Sequence, residues 1–124
     1  MRYLDHGREL EVAQGSVLYE VGAEPSEDGV FLLLSGRIRL HHGFADGTEL
    51  AFEAEPGSLF GLTDTFTRQP RIFRATALED CKLYSWSFDA FERAISVYIE
   101  LAEMAVTSLS KQMRVVNEDM KKLG

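Results

Sequence analysis

The sequence predicts a mainly β fold: an antiparallel β-roll or jelly roll, then a short helix, then one long helix. Three observations carry that expectation. Gly15, Gly22, Gly36, Gly47, Gly57 and Gly61 punctuate the first half of the chain, each where a short apolar strand has to turn. After Trp86 the strand-like pattern gives way to helical periodicity. From Ser96 to Leu123 the apolar residues then recur with the heptad spacing of a coiled coil.

Seven strands are expected, over Glu9 to Ala13, Ser16 to Glu20, Gly29 to Leu34, Arg37 to His42, Thr48 to Ala54, Ile72 to Leu78 and Cys81 to Trp86. Gly15 breaks the first pair and Ser35-Gly36 the third and fourth. Asp46-Gly47 is a hairpin signal for a type I′ turn, which needs positive φ at both central positions, and Glu55-Pro56-Gly57 adds a further turn. Strands joined this closely without intervening helices pair antiparallel.

Ser87 is the expected N-cap of the short helix, with Asp89 in its first turn and Phe88, Phe91 and Ile95 on one face against the roll. Ser96 is the expected cap of the long one. There Ile99, Val106, Met113 and Met120 recur every seven residues, interleaved with Ala102, Leu109, Val116 and Leu123. A stripe that holds a 3.5-residue period predicts a parallel homodimer seam; a helix lying on its own roll, with a wider face drifting to 3.6, is the competing expectation. The methionines and the alanine make the seam adaptable, which suits a helix that shifts between states. The chain therefore divides into a sensor unit, residues 1–95, and a dimerisation helix, residues 96–124.

Composition narrows the function. The 124 residues suit one domain able to bury a core without disulfides. With 13 Lys and Arg against 20 Asp and Glu, the net charge of −7 has the wrong sign for direct nucleic-acid binding. No run of apolar residues is long enough to span a membrane, and the polar start of the chain does not resemble a signal peptide. With the single cysteine, Cys81, these features place the protein in the cytoplasm. His41 and His42 adjoin on a strand and point to opposite faces, so they do not share a metal. Cys81 has no base partner in view, and no nucleophile or cupin-like ligand set stands out. An enzyme is not expected.

In order along the chain, GSVLYEVG (15–22), LLLSGRIRL (32–40), ADGTEL (45–50), EPGSLFG (55–61) and PRIFRATALEDC (70–81) resemble the cyclic-nucleotide-binding domain family. This is the sensor half of catabolite-activator and Fnr-type regulators. The resemblance implies a phosphate-binding cassette, in which nucleotide-binding members carry Phe-Gly-Glu followed further along by Arg and a Ser, Thr or Ala. Phe60 and Gly61 match, and Arg71 falls on the phosphate-pairing arginine. Leu62 stands where the ribose-binding glutamate is expected, with Thr63 after it, and Ile72 replaces the small residue beside the arginine.

A hydrogen bond to a charged acceptor contributes about 1.5–3 kcal/mol, so losing that glutamate weakens cyclic AMP or cyclic GMP by roughly ten- to a hundred-fold. Asp64 sets a negative charge near the start of an expected short helix and opposes a phosphate unless it caps that helix. Arg71 has two readings: a ligand-pairing arginine, or a solvated one in a cluster with Arg68 and Arg74.

Two functions follow. One is a homodimeric regulatory sensor whose ligand is a cyclic nucleotide or another small anion. The other is a ligand-independent dimerisation or partner-docking module with a non-functional pocket. Regulators of the Fnr type continue into a helix-turn-helix after the dimer helix, and this sequence stops at Gly124. The expectation is a chain without a DNA-binding domain of its own, or one cut from a longer regulator.

Overall fold

The computed structural model describes residues 7–25 and 29–123, with side chains as far as Arg114 other than that of Phe66. Eight strands form two four-stranded antiparallel sheets. The first runs in the order β1 (Arg8–Val12), β8 (Cys81–Trp86), β3 (Val30–Ser35), β6 (Leu59–Phe60). The second runs β2 (Val17–Tyr19), β7 (Arg74–Ala77), β4 (Ile38–Gly43), β5 (Glu49–Ala54). Three helices, α1 (Leu62–Thr67), α2 (Phe88–Val97) and α3 (Ile99–Leu123), complete the described chain. The β-roll followed by a short and a long helix is the architecture expected.

β3 explains how the layers stack. Its run VFLLLS is apolar at successive positions because both faces are covered. Phe31 and Leu33 point between the sheets, where they meet Ile38, Leu40, Phe60, Ala75 and Leu83. Val30 and Leu32 point outward with Tyr84 and Trp86, against Ala90, Phe91 and Ala94 of α2 and Leu101 of α3. Burying each large side chain of this kind contributes about 1.5–3 kcal/mol. The outer cluster therefore fixes both helices on the first sheet.

Several local expectations are corrected. The Asp46-Gly47 hairpin forms, but over a five-residue loop, since β4 ends at Gly43 and β5 starts at Glu49. Gly47 has φ +89° and Asp46 does not have positive φ, so the turn is not type I′. Asp46 instead accepts hydrogen bonds from the Thr48 N–H at 2.9 Å and the Thr48 hydroxyl at 2.6 Å, closing the loop through its side chain. β6 was not expected, being only two residues long. The strand predicted from Ile72 starts at Arg74, because residues 71–73 form an arm tied to the preceding loop: Gly22 N–H donates to Arg71 O at 2.7 Å and Arg71 N–H to Ala23 O at 2.8 Å.

Ser87 does cap α2, its hydroxyl accepting the Ala90 N–H at 3.1 Å. Ser96 caps nothing. α2 continues through it to Val97, and the Ser96 hydroxyl donates to the Glu92 carbonyl at 2.8 Å, so the break before α3 falls at extended Tyr98.

α3 lies on its own roll along one face, the competing expectation, and carries expected heptad residues on an exposed apolar face beside it. Leu101, Ala105 and Ser108 are buried against the roll. Ile99, Val106 and Met113 stay about two-thirds exposed, at 66%, 65% and 64%, on a neighbouring face. At 100° per residue Ala102 and Leu109 lie on the border between the two, and both are half-buried. The packing stripe 101–105–108–112 reads Leu, Ala, Ser, Gln, too polar to show in a hydrophobicity pattern. The side chains of Val116, Met120 and Leu123 lie outside the described residues.

Candidate functional site

The cassette residues meet at one buried arginine. Arg71 leaves the arm between α1 and β7 and turns inward until its side chain is 1% exposed. Of the two readings of Arg71, this rules out the solvated one in a cluster with Arg68 and Arg74. A guanidinium placed there must find acceptors for its donors. Nη1 donates to the Gly61 carbonyl at 3.0 Å and Nη2 to the Gly29 carbonyl at 2.8 Å. Nη1 also lies 3.7 Å from Asp64 Oδ2, and the guanidinium carbon sits 4.2 Å from the centre of the Tyr19 ring. Thr65 donates its hydroxyl to the same Gly29 carbonyl at 2.8 Å, drawing α1 into the arrangement.

Gly61 is required by this geometry. Its φ of +80° is left-handed, and a Cβ would come within 2.6 Å of Gly29 O and 2.9 Å of Arg71 Nη1. It forms the N-cap of α1 without any side-chain cap, so Asp64 does not cap the helix. Asp64 faces Arg71 instead. Burial raises its carboxyl above the usual 3.8, against the lowering effect of the Arg71 charge and of a hydrogen bond from the Ile72 backbone. Burial likewise raises the Tyr19 phenol, which stays a neutral hydroxyl.

Beside the arginine opens a cavity of about 380 Å³, within the range of small-molecule sites. Phe60, Gly61, Leu62, Thr63 and Asp64 form one wall. Leu40, Leu50 and Phe52 of the second sheet form another, Ile72 and Phe73 of the arm a third, and Leu109, Gln112 and Met113 of α3 close it. Phe52 and Phe73 meet edge to face at 5.2 Å between ring centres. His42 Nδ1 lies 2.8 Å from the Ile72 carbonyl and holds the arm to β4.

Phe60, Gly61, Leu62, Thr63 and Ile72 thus share one cavity, whereas Arg71 lies behind its wall and lines a separate cleft with Tyr19 and Phe31. Leu62 is 1% exposed and belongs also to the outer core cluster with Trp86 and Phe91. Ile72 is 51% exposed at the mouth. The sequence reading missed Leu40, Leu50, Phe52, Phe73 and Gln112, since isolated apolar residues on strands carry no signal for which cavity they line. Tyr19 and Gly29 were missed for a similar reason, their role being set by contacts across the fold. Among the described residues no group of three His, Cys, Asp or Glu is arranged to hold a metal.

Residues 9–98 match the family described as Cyclic nucleotide-binding domain. The chain belongs to that family. The cyclic nucleotide-binding domain is similar in structure to the catabolite activator protein of Thermus thermophilus, with 22% identity and a TM-score of 0.79 over 98% of this chain and 57% of that one. It is similar to the c-di-GMP responsive global regulator CLP of Xanthomonas campestris, with 16% identity and a TM-score of 0.83 over 98% of this chain and 61% of that one. A third similarity is to the CO-dependent transcription factor CooA of Carboxydothermus hydrogenoformans in its imidazole-bound form. There identity is 20% and the TM-score 0.79, over 98% of this chain and 52% of that one. At these identities the likeness establishes the fold. The domain spans between about half and three-fifths of the length of these regulators. No curated protein sequence matches it. Among the described residues no helix is long and apolar enough to cross a membrane.

Proposed function

We propose that this chain is the small-molecule sensor module of a Crp/Fnr-type transcription regulator, non-enzymatic and cytoplasmic. In this reading residues 1–95 form the sensor and residues 96–124 the dimerisation segment, whose helix α3 pairs two copies. The cassette residues Phe60, Gly61, Leu62, Thr63, Arg71 and Ile72 are the segment that responds to ligand. One observation supports it above others: Met113 of α3 lines the cavity and belongs also to the exposed apolar face shared with Ile99 and Val106. Occupying the cavity acts on the same helix that pairs with a second copy, so ligand and pairing are thermodynamically linked.

Sedimentation velocity on the wild type and Val106→Glu tests the pairing, and thermal unfolding against cyclic AMP, cyclic GMP and metabolite libraries tests the sensing. The reading expects a dimer that Val106→Glu converts to monomer. It also expects a ligand that shifts unfolding by several degrees, since a ligand at one hundred times its Kd stabilises by about 2.7 kcal/mol. A wild-type monomer at micromolar concentration would remove the dimer.

The internal pairing of Arg71 with Asp64 favours a second reading, a ligand-independent dimerisation module. It expects the same dimer with no ligand shift.

A further inference from the structure

The sensor reading leaves the chemistry of the ligand open, and the inference drawn here rests on that reading. We propose that the cavity between the cassette and α3 takes an uncharged, predominantly apolar small molecule, and takes neither a cyclic nucleotide nor another small anion.

The arginine is the first reason. Arg71 donates to the carbonyls of Gly61 and Gly29 at 3.0 and 2.8 Å and faces Asp64 at 3.7 Å, with Tyr19 across its plane. Turning it toward a phosphate would break both of these bonds and take the cation away from the buried Asp64 carboxylate, while Thr65 still donates to the Gly29 carbonyl. Removing one partner of a buried charge pair is the costly part of that exchange.

The wall is the second reason. Among the described side chains that line the cavity, Asp64 is the single charged one, and it faces Arg71 at 3.7 Å behind the wall. The pair presents no net charge, so the wall offers no counter-charge to an anion and none to a cation. Most of the remaining surface is apolar, with Leu40, Leu50, Phe52, Phe60, Phe73 and Leu109 among its residues. An anion there would exchange water for hydrocarbon with no counter-charge, the most costly transfer available to a small molecule.

Leu62 is the third reason. At the position where a ribose-binding carboxylate is expected, its side chain is 1% exposed and packs into the core with Trp86 and Phe91. The place is occupied by structure, leaving no carboxylate at that position to read a sugar. Thr63 at the rim, the Tyr19 phenol and Gln112 on α3 are the uncharged polar groups that orient a ligand, and the Gln112 amide nitrogen already donates to Leu59 O at 2.8 Å.

Two fluorophores with one ring skeleton test this on the full chain: N-phenyl-1-naphthylamine, which is neutral, and 8-anilinonaphthalene-1-sulfonate, which adds a sulfonate. The neutral dye is expected to bind saturably and the sulfonate at least about ten-fold more weakly, with no displacement by millimolar cyclic AMP. Thr63→Trp and Ile72→Trp, both at exposed rim positions, should each weaken the neutral dye by about ten-fold or more by filling the mouth. Val97→Glu, at an exposed position of α2 that does not line the cavity, should leave it unchanged. Equal or tighter sulfonate binding, or displacement by cyclic AMP, would overturn the apolar-ligand assignment while keeping the sensor. Loss of dye with Val106→Glu but not with the rim variants would place it on the helix face and overturn the assignment. No saturable dye binding by protein with native circular dichroism would also overturn it. In that case a cyclic AMP shift in thermal unfolding would preserve the sensor reading, and no shift would remove that reading too.

Discussion

Gln112 Nε2 donates to the main-chain carbonyl of Leu59 at 2.8 Å, and one turn earlier the Ser108 hydroxyl accepts the Leu59 N–H at 3.0 Å. β6 is the edge of its sheet, and these two side chains of α3 satisfy peptide groups for which a further strand would otherwise be needed. Because Phe60 and Gly61 follow directly, α3 is fastened by hydrogen bonds to the start of the cassette. Ser108→Ala removes the acceptor from a buried amide and is expected to cost about 1–3 kcal/mol in urea unfolding. Faster hydrogen exchange at Leu59 should accompany it, and at distant β1 should not.

Gly61→Ala should destabilise by about 1–3 kcal/mol from the left-handed backbone alone, with further loss from the clash on Gly29 O and Arg71 Nη1. Gly57, also at positive φ but with no atom within 4 Å of an added Cβ, should lose less on the same change. Thermal unfolding of the two variants side by side checks the difference.

Restoring the family glutamate should fail. Leu62→Glu buries a carboxylate in the cluster around Trp86 and is expected to destabilise by several kcal/mol, on the order of 3–5. It should not create cyclic AMP binding in isothermal titration. Ile72→Ser at the exposed mouth should stay within about 0.5 kcal/mol of the wild type.

Asp64 gives a pH signature. Its folded-state pKa is raised above 3.8, so in that window the folded protein binds more protons than the unfolded chain. Stability contributed by this group therefore falls as pH rises from about 3.8 through the folded pKa, the reverse of an ordinary salt-bridged aspartate. Urea unfolding of wild type and Asp64→Asn across pH 3 to 7 should show the wild type losing ground to the variant as pH increases.

What the sequence made legible was whatever repeats or turns. The strands, the Ser87 cap and the heptad spacing of α3 are local patterns, and the family motifs brought Phe60, Gly61 and Ile72 to one cavity. What it hid depends on contacts made at long range. Asp64 was read against an incoming phosphate, because nothing local shows that its partner is Arg71. The 101–105–108–112 face escaped notice since its value to the fold lies partly in hydrogen bonds, through Ser108 and Gln112, and not in hydrophobicity. Ser96 looked like a cap because serines often are; its hydroxyl bonding back to Glu92 inside α2 is the common alternative.

The single tryptophan of the chain gives this arrangement an optical readout. Trp86 is buried between Tyr84 and Phe91, and its carbonyl accepts the N–H of Gly29 at 3.0 Å, the residue whose own carbonyl receives Arg71 and Thr65. The indole therefore sits one peptide away from the arginine knot while lying under both helices. Its emission needs no label to follow the seating of α2 and α3 on the roll as the cassette rearranges.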